Sequence, residues 1–122
     1  MAFLDWFKGA KVPSSWFSLN EMDQLDHAID RSYKKDVAFI KHSTRCGISH
    51  AVLSHLIEES QERPSDIELY YLDLIKYREI SNEISKRLNV THQSPQFIML
   101  RKGNVVYKSS HHGIKWEDIL AQ

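Results

Sequence analysis

Cys46 is the only cysteine in this chain, and it lies in the stretch Lys41-His42-Ser43-Thr44-Arg45-Cys46-Gly47-Ile48-Ser49. The chemistry a lone thiol can offer is nucleophilic attack on sulfur, and only the thiolate attacks. At an ordinary cysteine pKa of about 8.5, roughly 3% is ionised at pH 7; at about 6, roughly 90% is. The rate gains less than the population does, because nucleophilicity falls with pKa. Arg45 adds positive potential beside the sulfur, and Lys41 or His42 would add more if either side chain turned towards it. Ser49 stands three residues on, where a two-cysteine redox motif carries its second thiol. Its hydroxyl can donate a hydrogen bond to a thiolate but cannot attack a disulfide. A mixed disulfide formed at Cys46 must therefore wait for an outside thiol. The opposing reading is an inert, buried cysteine serving as a small apolar residue.

Two other constellations raise chemical questions. Seven histidines invite a metal, and Cys46 and His50 are four apart on one expected helix. No second Cys-x-x-Cys or His-x-x-x-His pair completes a four-ligand set, so no metal is expected. A cysteine–histidine nucleophile would need a base brought in by the fold, and spacing singles out neither His92 nor His112. Pro95, in His-Gln-Ser-Pro-Gln-Phe-Ile-Met-Leu, suits the start of a strand because it has no N–H to donate. A cis Ser94–Pro95 bond would turn the Ser94 backbone outward, where an extended peptide or thiol could pair with it as with a sheet edge.

The elements that must position these residues follow from hydrophobic spacing. Leu19, Met22, Leu25, Ala28, Ile29 and Tyr33 make one helical stripe, with Ser18 and Glu21 spaced as a capping box. Asp36 to His42 holds a continuous apolar run, as in a strand buried on both faces. Ile48, Ala51, Val52 and Leu56 return to helical spacing, and Ile67 to Leu74 reads as a second strand. Tyr77, Ile80, Ile84 and Leu88 form another stripe. Phe97 to Ser109 reads as two strands turning at Gly103-Asn104, and the C-terminus as a short helix with Ile114, Ile119 and Leu120 inward. A helix between the first two strands favours parallel pairing, whereas the hairpin is antiparallel. The expected fold is α/β, a mixed sheet of about four strands with helices on both faces. Cys46 then lies beyond the carboxyl end of a buried strand, where open α/β sheets bind ligands. It also meets a helix N-terminus, whose free amides and dipole favour negative charge.

Composition narrows the function classes. Sixteen basic and sixteen acidic residues balance, which argues against a general attraction to nucleic acid or to an anionic membrane. One cysteine excludes an intramolecular disulfide. No apolar run approaches the roughly 20 residues of a membrane helix, and the first residues, with Asp5, make a poor secretory signal. The expectation is one domain over 1–122 in a cytoplasmic protein, with 1–17 as an N-terminal extension in which Phe3, Leu4, Trp6 and Phe7 could dock as an amphipathic turn.

A strand, a cysteine motif opening a helix, and Ser-Pro before a hairpin together resemble the thioredoxin superfamily over Ser18 to Gln122. More narrowly, the Lys41–Ser49 stretch and the residues from Ser94 to Ile114 resemble the YtxJ family, monothiol bacilliredoxins of bacteria that use bacillithiol. Thr44, Cys46, Ile48 and Ser49 match that family's Thr-Cys-Pro-Ile-Ser type of motif, whereas Arg45 precedes the cysteine and Gly47 stands where proline is frequent. The resemblance implies an oxidoreductase that removes bacillithiol, or a similar small thiol, from S-thiolated client proteins. Cys46 would be the nucleophile, and Thr44, Arg45, Gly47, Ile48, Ser49, Ser94 and Pro95 would line the substrate site. Ser110 to Gly113 would lie where related glutaredoxins hold a thiol cofactor's carboxylate. The alternative is a non-catalytic thioredoxin-like module that binds a protein partner beside Pro95.

Overall fold

The computed structural model describes residues 12–122, so the expectation for Phe3, Leu4, Trp6 and Phe7 falls outside the described residues. The elements are β1 (Phe17–Ser18), α1 (Met22–Arg31), β2 (Val37–His42), α2 (Gly47–Glu62), β3 (Glu68–Asp73), α3 (Arg78–Leu88), β4 (Gln96–Arg101), β5 (Asn104–Ser110), a 3-10 turn (His111–Gly113) and α4 (Trp116–Leu120). They build one five-stranded sheet in the order β1-β3-β2-β4-β5. The strands β1 and β2 run parallel to β3, while β4 and β5 pair antiparallel. The fifth strand beyond the expected four is β1, whose two residues carry no periodic pattern of their own. Pairing with Tyr70 and Tyr71, a tertiary event, makes it a strand.

All six residues of β2 are buried, because the strand is central and covered on both faces. Val37 and Phe39 meet Leu25 and Ala28 of α1 and Ile80 and Ile84 of α3. Ala38 and Ile40 meet Val52, Leu53 and Leu56 of α2 and Trp116 and Ile119 of α4. Period-2 alternation along the strand thus feeds two cores, one on each side of the sheet. Burying each large apolar side chain contributes about 1.5–3 kcal/mol.

Local signals moved in two places. The capping box of α1 is made by Glu21 and Gln24, not by Ser18 and Glu21. Ser18 is unavailable as a cap because it belongs to β1. The hairpin turns on Lys102 and Gly103, both at positive φ (52° and 78°), one residue earlier than Gly103-Asn104. Two consecutive positive-φ residues suit the twist of a two-residue hairpin, and Asn104 is then free to open β5.

Candidate active site

The site forms at one end of the sheet. Lys41 pairs with Gln96 across β2 and β4. The loop leaving β2 and the Ser94–Pro95 segment entering β4 therefore lie at the same end. Ser94–Pro95 is cis. The 3-10 turn joins them there, since the His111 amide donates to the Pro95 carbonyl at 3.0 Å.

Cys46 is the residue capping α2, with extended backbone (φ −115°, ψ 120°), and it is partly buried. The amides of Gly47, Ile48 and Ser49 have no acceptor within the helix, as in any first turn. The Cys46 sulfur makes no capping hydrogen bond. Arg45, Gly47 and Ile48 are exposed around it, Ile48 at 48%. Cys46 therefore sits, partly buried, at a helix mouth flanked by exposed residues.

Beneath it lies a polar network that spacing did not reveal. Ser49 is fully buried, and its hydroxyl accepts the Ser43 amide at 3.0 Å. The same hydroxyl pairs with His42 Nδ1, 2.7 Å away. Ser49 thus ties its hydroxyl to the loop amide of Ser43 and to His42. His50 Nε2 donates to the Thr44 carbonyl at 3.0 Å, and its ring stands edge-on to His42 with centroids 4.9 Å apart. That bond ties His50 to the loop. Among the described residues, no group of three or more His, Cys, Asp or Glu side chains gathers to hold a metal.

Neither cation upstream reaches the sulfur as a positive charge. Burial, with His50 adding, pushes His42 down to about 4, so it is neutral at physiological pH. Lys41 points to the opposite core, as alternation along a strand requires. There its Nζ meets the Ser81 carbonyl and Ser85 Oγ, each at 2.9 Å, and His92 Nδ1 at 3.3 Å. Three donors meet three acceptors, and burial, with Arg78 nearby, lowers Lys41 to about 8. His92 is committed to that cluster. Arg45 is left as the exposed cation next to Cys46.

Three buried side-chain atoms among the described residues lack hydrogen-bond partners: His50 Nδ1, Ser94 Oγ and Ser109 Oγ. All three belong to the end of the sheet that carries Cys46.

A central mixed sheet, two helical layers, and a cysteine capping the helix after the central strand define the thioredoxin class. Solved structures agree. The chain is similar to a thioredoxin-fold protein proposed to be an oxidoreductase, at 30% identity, over 88% of this chain and 92% of that one, with a TM-score of 0.76. Two thioredoxins share the fold at lower identity. Thioredoxin O2 from Arabidopsis thaliana in its oxidised state matches at 20% identity, TM-score 0.67, over 92% and 94% of the two chains. Thioredoxin NaTrxh from Nicotiana alata matches at 15%, TM-score 0.69, over 93% of each. The family model described as monothiol bacilliredoxin BrxC matches residues 17–119, and the chain belongs to that family. It is a thiol-disulfide oxidoreductase of thioredoxin fold.

Proposed function

We propose that the chain removes a small thiol, bacillithiol or a close analogue, from mixed disulfides on client proteins. The observation that carries this reading is a single cysteine, half-open to solvent, at the cap of α2. The Cys46 thiolate attacks the small-thiol sulfur of the mixed disulfide. A Cys46–small-thiol disulfide forms, the old S–S bond breaks, and the client leaves as a thiolate that takes a proton from solvent. The chain has no second cysteine, so a second small thiol must attack the adduct, leaving as a small-molecule disulfide and restoring Cys46. Arg45 and the free amides of Ile48 and Ser49, the second and third helical positions that a cap side chain reaches, provide positive potential for the attacking sulfur. Thr44, Ile48, Ser94 and Pro95, which lie towards the same end of the sheet, contact the client or the small thiol in this reading. Such chemistry suits a reducing compartment such as a bacterial cytoplasm.

The test is a client protein carrying bacillithiol, incubated with wild-type chain and with Cys46→Ser. Intact-mass measurement should find bacillithiol transferred to Cys46 and the client released as free thiol, and neither with Cys46→Ser. A stable client–Cys46 disulfide as the sole product, or release that persists in Cys46→Ser, refutes the reading.

A further inference from the structure

We propose that His50 is a positioning residue that fixes the cysteine loop in place of a rigid residue at position 47. The inference rests on Cys46 being the reactive thiol of the site above.

The first helical position of α2 is Gly47. Proline is favoured at such a position because its fixed φ pre-organises the first turn and its missing N–H is not needed there. Glycine does the opposite, leaving the chain free where the thiol must be aimed at the helix mouth. Nothing in the surroundings requires glycine. Its φ is not in the left-handed region, and a Cβ built there meets no atom within 4 Å. Cys46 before it already has the extended backbone (φ −115°, ψ 120°) that a following proline imposes.

The loop is held from elsewhere. Two consecutive residues in the first turn of α2 reach back to it. Ser49 takes the Ser43 amide, and His50 Nε2 takes the Thr44 carbonyl. Between these anchors and the helix, only Arg45 and Cys46 remain to be placed, and the Cys46 amide closes onto the Ser43 carbonyl at 3.3 Å. The His50 ring is itself oriented by its edge contact with the buried His42.

The experiment measures Cys46 alkylation by iodoacetamide at pH 7 in the full chain, alongside the thermal midpoint of each variant. Alkylation needs no thiolated client, so a wild-type chain that fails to release bacillithiol leaves this test intact. His50→Phe, similar in bulk but without the donor, should slow alkylation about fivefold, the factor one net hydrogen bond commands. His50→Gln, which keeps an N–H donor at similar reach, should stay within about twofold of wild type. Adding Gly47→Pro to His50→Phe should restore most of the lost rate. The proposal is overturned if His50→Phe alkylates like wild type, if His50→Gln is as slow as His50→Phe, or if proline fails to restore the rate. Should His50→Phe not fold, His50→Leu serves as the donor-free variant, and alkylation at the wild-type rate there would overturn the proposal equally.

Discussion

Acid should loosen this protein through one identifiable group, His42. It is 2% exposed, and its folded-state pKa is pushed down to about 4 against an ordinary 6.5, by burial first and by His50 second. Between those values the unfolded chain binds a proton that the folded chain refuses. Stability is therefore full above pH 6.5 and falls as pH drops towards 4. Each pH step in that window removes up to about 1.4 kcal/mol. The whole window is worth about 3 kcal/mol, a large share of the 5–15 kcal/mol typical of a domain. The perturbation is His42→Asn, whose side-chain amide can still pair with the Ser49 hydroxyl but cannot titrate. The assay is urea unfolding of both proteins at several values between pH 7 and 4. Wild type should lose about 3 kcal/mol more than the variant across the window. Asp36 and Glu68 are held below the usual carboxylate range by Arg101 and Arg31 and also lose their pairing in acid. They do so equally in both proteins and cancel in the difference. If the two stability curves run parallel from pH 7 to 4, the assignment of a buried, neutral His42 is wrong.

Lys41 predicts the mirror result at high pH. Its folded-state pKa of about 8 lies below the ordinary 10.5, so stability rises as pH climbs between them. Urea midpoints should show a wild-type gain of up to about 3 kcal/mol that Lys41→Met lacks. Gly103 has φ +78°, and an added Cβ would lie 2.5 Å from the Tyr33 hydroxyl. Gly103→Ala should therefore cost about 1 kcal/mol or more in a thermal melt, and a midpoint equal to wild type would contradict the turn geometry. Phe39, fully buried between α1 and α3, should lose about 3–5 kcal/mol as Phe39→Ala in the same melt. The partly buried Cys46, by contrast, should be replaceable by serine within about 1 kcal/mol.

Spacing along the chain was enough to determine the helices, the central strand, the hairpin and the place of Cys46 between a strand and a helix. Those features depend on periodicity and on turn chemistry, which are local. Leu25, Ala28, Ile80 and Ile84 repeat every three or four residues because each helix has one buried face. The two-residue β1 escaped because a strand that short exists only through its pairing with β3. Side-chain direction at the end of β2 escaped as well. Lys41 and His42 are adjacent in sequence, yet alternation sends one into a polar pocket under α3 and the other beneath the cysteine loop. Ser49 could be named as a partner for the sulfur from its spacing alone. Only the folded chain ties it to Ser43 and His42. A sequence records which groups can donate and accept. Which partners they take depends on distances across elements far apart in the chain, and packing alone sets those distances.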